Sequence, residues 1–474
     1  MARASAYCRK RDGTLFRFVS VMRRKRLKMV VFATQSDEKF GIRLALTEMR
    51  KRTETERPPA MKPNNLYLLV THIPFARDAE GAPVVDGLWA RDLIGLAKSV
   101  GALRVVAPEL PLASLTGWGP NTVSLSSSPE ISFRGFAPIN GKKDLWRWPS
   151  IRRVLRQEVN NAQLVHTSNL FPPYLGLSYA HDYATRLGRK TLFVIAEDFR
   201  DMLSWEWIRE SAGLQRWMRE RELDRIEQRA RKSAATASLT LLHTPAAVER
   251  YRLWARRSVA IRQPGHDPEQ IISAESLEQR LASLDTKRPL HLVSACRHAG
   301  LKGLDLLIQA AGLLHDRGIE VEVTLYGKGP QTAQLNALAE RLGIADRVHT
   351  PGALAAGPEL DAALRRADLF VMPHRSTDFG RAFFDAMAAG LPVLAFRTPA
   401  SADTVYDGLD GFLAPLDDVQ GLAERIATLD RDRSLLARTA NSARTRAVRN
   451  TRTEWFRMRA QWTLSLLSEQ SNAA

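Results

Sequence analysis

Cysteine is almost absent from this chain. Of 474 residues only Cys8 and Cys296 are cysteine, too few and too far apart for a zinc-ligand spacing or a disulfide framework. That scarcity fits a reducing compartment. Long apolar runs are missing as well. The longest candidates, such as Leu66 to Val70, are strand-sized, against about 20 residues for a helix that crosses a bilayer. No secretory signal peptide is legible. The apolar patch Met29 to Ala33 behind Arg23-Arg24-Lys25-Arg26 is too short and lacks a small-residue cleavage site. Acidic residues are in deficit, with 51 Asp/Glu against 69 Lys/Arg and a formal charge of +18. The deficit is uneven, because residues 1–60 hold 16 Lys/Arg and 6 Asp/Glu. Such a balance suits a phosphate-bearing partner: nucleic acid, an anionic membrane surface or a nucleotide. No nucleic-acid recognition motif accompanies it.

What is present is the composition of a globular protein, with 45% hydrophobic residues and length enough for two or more domains. Residues 1–60 show no sustained period and do not read as a domain. At Met61 the pattern changes abruptly. Lys62-Pro63-Asn64-Asn65 lead into the buried strand Leu66 to Val70, as the start of an α/β domain does. The natural product is therefore expected to start at Met61, with the leader an upstream extension; the rival reading is a basic arm that touches anionic lipid.

From Leu66 onward strands alternate with helices, the signature of parallel sheets with helices on their faces. In the first half, strands are expected at 103–106, 161–166, 190–196 and 239–242, with helices at 88–99 and 244–254. Residues 108–148 read as loop. The stretch 262–287, with Pro264, Gly265 and Pro268, reads as the linker. The second half is cleaner, with strands at 290–295, 321–326, 369–372 and 393–396 and helices at 303–315, 334–342 and 359–366. The expected fold class is α/β with two Rossmann-like doubly wound domains facing a cleft. Residues 61–270 form the first domain and 271–450 the second, and a helix in 451–474 returns to the first. In such sheets ligands sit beyond the carboxyl ends of the strands.

The chain is organised around Ser376 to Val393, STDFGRAFFDAMAAGLPV. A polar loop with Phe379 and Gly380 precedes a short apolar helix, which Gly390 and Pro392 end. Asp378, the backbone after Phe379 and Asp385 gather around that helix's N-terminus. An N-terminus attracts anions through its unpaired N–H groups and dipole, and carboxylates accept hydrogen bonds from sugar hydroxyls. The reading is a site for a sugar attached to a diphosphate. Arg297 and Lys302 flank the loop after the 290–295 strand, placed to neutralise a diphosphate and to stabilise it as it leaves. Gly327 and Gly329 allow close backbone approach to a ligand, or simply make a turn.

Other candidates carry less. Asp430-Arg431-Asp432 has the D-x-D spacing of metal-dependent sugar transferases but follows a helix, so it reads as a solvated turn. His374 lies near the site as a phosphate contact or a loop filler. His72, His166 and His243 lie at strand ends, and each is expected to be a satisfied polar group. Trp205, Trp207 and Trp217 sit on Arg-rich helices, as core residues or as a face toward lipid.

Taken in order, SACRHAGLKGLDLLIQA, LYGKGPQTAQLNALAERLGIADRVHTPG, ADLFVMPHRSTDFGRAFFDAMAAGLPVLAF and VYDGLDGFLAPLDD resemble the retaining glycosyltransferases of family 4, which have the GT-B fold. The resemblance covers about Leu290 to Ala427 and is looser in the first domain, through NAQLVHTSN, Glu197-Asp198 and QPGHDP. It implies transfer of a sugar from a nucleotide-sugar with retention, in surface polysaccharide or glycolipid assembly. Arg297 and Lys302 would hold the diphosphate in place of a metal, and no cofactor is implied beyond the nucleotide-sugar. The backbone at Phe379, Gly380 and Arg381 would contact sugar and phosphate, and Asp385 would bind the ribose. The family's first acid falls on Thr377, with Asp378 in place of a usual glycine, so either residue is a candidate for the sugar contact. On the acceptor side, Asp86 and Gly87 match in part, and Glu197 stands before Asp198 where the family often has histidine. The acceptor would be a sugar or lipid-linked sugar. The expected setting is cytoplasmic, with peripheral contact at the inner membrane face and no nucleic acid. The rival functions are a nucleotide-sugar epimerase of the same fold and a basic nucleic-acid-binding protein.

Overall fold

A computed structural model describes residues 67–115, 122–139, 141–168, 175–196, 200, 208, 211–284, 288–375 and 380–468, together with three strands nearer the start. Those strands, Arg3–Arg9 (β1), Leu15–Arg23 (β2) and Arg26–Phe32 (β3), pair antiparallel in the order β1-β2-β3. They belong to a separate compact unit, Met1–Pro59; everything else forms a second unit, Ala60–Ala474.

The second unit holds two parallel sheets. The first contains Tyr67–Val70 (β4), then, beyond a small hairpin of Ala76–Arg77 (β5) and Pro83–Asp86 (β6), Leu103–Pro108 (β7). Thr122–Ser124 (β8) joins the hairpin as a third strand. Ile131–Phe136 (β9), Leu164–Ser168 (β10), Lys190–Ile195 (β11), Leu239–Leu242 (β12) and Ser258–Ala260 (β13) complete the main sheet, ordered β13-β12-β11-β10-β4-β7-β9. The second sheet is built from Leu290–Ala295 (β14), Val321–Tyr326 (β15), Val348–Gly352 (β16), Leu369–Met372 (β17), Val393–Phe396 (β18) and Gly411–Ala414 (β19), ordered β16-β15-β14-β17-β18-β19. Counted within its own domain, the second sheet runs 3-2-1-4-5-6 and the first runs 3-2-1-4-5-6-7, the doubly wound order with a switch point beside the first strand. The switch points lie between β4 and β10 and between β14 and β17.

The strands form because they are continuous apolar runs buried on both faces, as parallel strands must be. Tyr67–Val70, Leu239–Leu242, Leu369–Met372 and Val393–Phe396 are buried at every position. The last helix, Arg452–Ser468, returns to the first domain: Trp455, Phe456 and Met458 join the core formed by Tyr67, Leu93 and Val105. Phe456 comes so close to the Gly87–Val100 helix that a Cβ on Gly95 would sit 2.9 Å from its ring.

Several expectations need correction. Residues 71–87, to which no element was assigned, contain the β5–β6 hairpin, and the expected loop 108–148 contains β9. Two helices, Trp148–Asn161 and Arg433–Val448, were not anticipated. The first buries Ile151, Leu155 and Val159 at helical spacing between charged residues. The second buries mainly Leu436, Ala440, Ala443 and Ala447, a stripe of small residues with little hydropathy contrast.

Candidate active site

The loops after β14 and β17 meet at the switch point of the second sheet. After β14 the chain passes Cys296, Arg297 and His298 into the one-turn helix Gly300–Lys302. Gly303 then turns back with φ 67° and opens the Leu304–His315 helix. A Cβ there would meet the Pro373 carbonyl oxygen at 2.0 Å, so close approach of the two loops and a left-handed backbone both require glycine. Arg375 fastens the junction. Its guanidinium donates to the Gly300 carbonyl at 2.8 Å and pairs with Asp417 at 2.6 Å, while its backbone N–H donates to the Leu301 carbonyl at 2.9 Å. Sequence reading passed over Arg375; its position three residues past a strand end was the available signal.

The third loop, after β15, lies against the same turn. Gly327 donates its N–H to Gly352, and His298 donates its own to the Lys328 carbonyl. A Cβ on Gly327, whose φ is 139°, would lie 1.9 Å from the Cys296 carbonyl oxygen, and one on Gly329 would lie 2.2 Å from that of His298. Both glycines are thus needed for loop-on-loop contact. The buried His298 is fixed by Thr332, 3.0 Å from its Nδ1, and burial holds its imidazole below its ordinary pKa.

Two of these three loops carry Arg297 and Lys302, after β14, and Lys328, after β15, none with a carboxylate partner among the described residues; Arg297 and Lys328 are exposed and Lys302 is half-buried. The Arg381–Ala388 helix, which follows β17, begins at Gly380, where no side chain among the described residues caps its first N–H groups. Cations without anions beside an uncapped helix start can bind phosphate. Lys328, between the two glycines, is a further candidate that glycine spacing alone did not single out.

The Asp385 carboxylate points to the interdomain segment. A Cβ on Gly265 would touch it at 2.7 Å, and its Oδ1 is buried without a hydrogen-bond partner among the described residues. Burial outweighs the nearby Arg381 and pushes its carboxyl up to about 6. Arg381 itself reaches Asp92 of the first domain at 3.3 Å, and Gln263 donates to the same carboxylate at 2.9 Å. His374 is buried edge-on to Phe383, with ring centroids 5.5 Å apart. Thr377, Asp378 and Phe379, like Glu197 and Asp198 on the acceptor side, lie outside the described residues, as do Trp205 and Trp207.

Residues 289–432 match the family model described as glycosyl transferases group 1. The match falls within the second domain. Among curated proteins, the chain is 34% identical over 162 residues to a D-inositol 3-phosphate glycosyltransferase of Paenarthrobacter aurescens, covering 33% of this chain and 39% of that protein. It is 29% identical over 183 residues to an amylovoran biosynthesis glycosyltransferase of Erwinia amylovora, covering 36% and 44%. The chain spans less than half the length of the curated relatives it matches. Over the full fold it is similar to Anabaena HepE in complex with UDP, with a TM-score of 0.61, 19% identity, and coverage of 85% of this chain and 99% of that one. A sucrose-phosphate synthase of Thermosynechococcus elongatus superposes with a TM-score of 0.62 at 16% identity, over 86% and 100%. The fold is GT-B.

In the other half of this GT-B fold, opposite the glycosyltransferase domain, Asp86 caps the Gly87–Val100 helix, accepting from the N–H groups of Leu88 at 3.0 Å and Trp89 at 3.2 Å. Gly87 is that helix's first residue. A cavity of about 500 Å³ opens at the carboxyl ends of β4, β7 and β9, lined by Val70, His72, Leu110, Phe136, Trp148 and Leu177 among others, with no carboxylate or cation among the described residues of its wall. Desolvation lowers the pKa of His72 there. Of the remaining candidates, Asp432 caps the Arg433–Val448 helix and Asp430 pairs with Arg433, so the D-x-D sequence is structural. Trp217 is half-exposed beneath Arg221. His166 has Tyr67 as a partner, but Nε2 of the buried His243 has none among the described residues, against expectation. No cluster of potential metal ligands and no helix long and apolar enough to cross a membrane occurs among the described residues.

Proposed function

We propose that this protein transfers a sugar from a nucleotide-sugar to an acceptor with retention at the anomeric carbon, in the assembly of a surface polysaccharide or glycolipid. The observation that carries the reading is the set of cations without a carboxylate partner among the described residues, Arg297 and Lys302 after β14 and Lys328 after β15, on converging loops, together with the start of the Arg381–Ala388 helix, uncapped among the described residues. The diphosphate lies among them. In the reaction the bond from the anomeric carbon to the diphosphate oxygen breaks, and the acceptor hydroxyl oxygen bonds to the same face of the sugar. Its proton ends on the leaving diphosphate. Negative charge grows on that group, and fixed cations stabilise it where a metal ion otherwise does. Asp385 receives the ribose hydroxyls, and the sugar contact falls to Asp378 or Thr377.

The acceptor approaches from the first domain. Its apolar part fits the cavity beside Trp148, whose described wall residues include none of the carboxylates and amides that read sugar hydroxyls. A lipid-linked sugar has such a part. It would be met at the inner face of the cytoplasmic membrane, where the basic leader or the exposed Trp146 offers peripheral contact. The relatives named above are glycosyltransferases with sugar-phosphate or exopolysaccharide roles in their names, which agrees with this reading and lends nothing to the epimerase or nucleic-acid alternatives. The test is a panel of nucleotide-sugars screened by thermal shift. A cognate donor at about a hundred times its dissociation constant stabilises the fold by about 2.7 kcal/mol. A panel that leaves the midpoint unmoved defeats the proposal.

A further inference from the structure

Two neighbouring residues of the first domain have no task in that reaction. They are Arg91 and Asp92, on the Gly87–Val100 helix. Arg91 is tied to the linker: its Nη2 donates to the Gln270 side chain at 2.8 Å and lies 3.7 Å from the Asp267 carboxylate. Gln270 in turn donates to Asp361 of the second domain at 3.0 Å. Asp92 crosses the boundary directly. It takes the Arg381 guanidinium, with Nη2 3.3 Å from Oδ1 and 3.4 Å from Oδ2, and accepts from Gln263 at 2.9 Å. Arg381 is the first residue of the Arg381–Ala388 helix, whose start belongs to the proposed donor site. About one turn further along that helix, the Asp385 carboxylate lies against Gly265, where a Cβ would meet it at 2.7 Å.

The ion pairs along this boundary are not alike. Arg262 pairs with Asp403 at 2.6 Å, and Arg452 uses Nε and Nη2 on the two oxygens of Asp267. The Arg381–Asp92 pair is longer and rests on one guanidinium nitrogen, and the Arg381 side chain keeps 32% of its surface exposed. A pair of this kind adds little to stability. Its geometry suits a contact that orients two elements more than one that holds two domains together. The elements are the ones that matter for transfer. The Gly87–Val100 helix starts at the acceptor-side candidates Asp86 and Gly87, and Asp92 follows about one and a half turns later. A rigid helix therefore joins the acceptor-side start to the donor-site helix through a single carboxylate. Whatever steadies one helix then steadies the other, by the same free energy.

We propose that Asp92 is a positioning residue for sugar transfer: through Arg381 it aligns the donor-site helix of the second domain with the first domain, from which the acceptor approaches. This rests on the reading that the start of the Arg381–Ala388 helix helps to hold a nucleotide-sugar. Asp92 acts through Arg381 and needs no contact of its own with either substrate. Gln263 fixes the carboxylate from the first-domain side, so that the Asp92 side chain offers Arg381 one orientation. Misalignment of reacting groups by a fraction of their separation is costly to rate while leaving binding nearly intact.

Amide hydrogen exchange in the full chain, read by mass spectrometry with UDP and GDP as probes, tests this. Saturation with a nucleotide that binds is expected to slow exchange in the Gly87–Val100 helix by about threefold or more, although the nucleotide sits on the other domain. Asp92→Asn should abolish that slowing, while nucleotide affinity by calorimetry stays within about threefold and the melting midpoint holds. Asp92→Glu, which keeps the charge, should retain the slowing. Arg381→Gln removes the other half of the pair, should lose it too, and serves if Asp92→Asn does not fold. With the cognate donor, Asp92→Asn should lower kcat by about tenfold or more at a donor KM within about twofold. A residue that served stability alone would shift the midpoint and spare kcat. Nucleotide binding without slower exchange in the first-domain helix overturns the inference and leaves the donor reading standing, as does slowing that persists in both Asp92→Asn and Arg381→Gln. Failure of both nucleotides to bind the unaltered protein defeats the donor reading, and the inference with it.

Discussion

The two Rossmann-like domains share a strand order but use their loops in opposite ways. In the second domain the loops after β14, β15 and β17 lie against one another, fixed by Gly303, Gly327, Gly329 and Arg375, and they carry cations without partners. In the first domain the charged side chains around the sheet are largely answered. Arg104 is bidentate to Glu158, and Glu227 alone takes Arg200, Arg231 and Arg250. What is left there is shape: a hairpin inserted before the first helix and an apolar cavity. One scaffold thus offers a site read by charge and a site read by form. A diphosphate is much the same in every nucleotide-sugar, whereas acceptors differ, and the rigid half and the variable half divide accordingly.

The comparison breaks most severely if the charges of the second domain are dispensable. Lys302→Ala or Arg297→Ala should lower turnover by about a hundredfold or more, since one lost stabiliser of developing charge costs about 2.7–4 kcal/mol. Steady-state kinetics with an identified donor measure this, and the melting midpoint should hold. Backbone is the next target. Gly327→Ala sets a Cβ against the Cys296 carbonyl at a φ of 139°, and should cost roughly 2 kcal/mol or more of stability along with donor affinity. Chemical denaturation and donor titration measure the two losses.

Asp385 sharpens the contrast from the other side, because its burial works against folding. The folded pKa, about 6, lies above the ordinary carboxylate value of 3.8. Both states are protonated well below pH 4, so the group is neutral to stability there. As pH rises the unfolded chain releases its proton first, and stability is lost progressively up to about pH 6. Asp385→Asn should therefore stabilise the protein by on the order of 1–3 kcal/mol above pH 6 and by nothing near pH 3.5. It should also raise KM for the donor with kcat little changed, since a ribose contact is equal in ground and transition states. Lower stability in the variant at pH 7, or a fall in kcat alone, would remove the ribose role. The smallest effect is expected from removing residues 1–60. All but Ala60 belong to a compact unit of their own, Met1–Pro59, and a protein starting at Met61 should keep its donor affinity and its melting midpoint within about 1 kcal/mol.

Legibility followed the same division. Buried parallel strands show as unbroken apolar runs, so Leu239–Leu242, Leu290–Ala295, Val321–Tyr326 and Leu369–Met372 were readable to the residue. Arg297, Lys302, Gly327 and Gly329 stood out because they follow strand ends, and the structure brings the two loops that carry them together. Arg375 was not, since nothing local distinguishes a cation that fastens a turn from one that binds phosphate. Arg459 was invisible for a different reason: its contact is with His166, 293 positions away. The alanine stripe of Arg433–Val448 and the two-residue strand Ala76–Arg77 carry too little hydropathy contrast to be seen before folding.

The central claim is that a nucleoside diphosphate sits among Arg297, Lys302 and Lys328 at the switch point of the second sheet. Isothermal titration of UDP and GDP into the unaltered protein and into Lys302→Ala tests it most directly. The account predicts saturable binding of at least one of them to the unaltered protein, weakened by about tenfold or more in the variant. Equal affinity in the two proteins, or binding of neither nucleotide to the unaltered one, would contradict it.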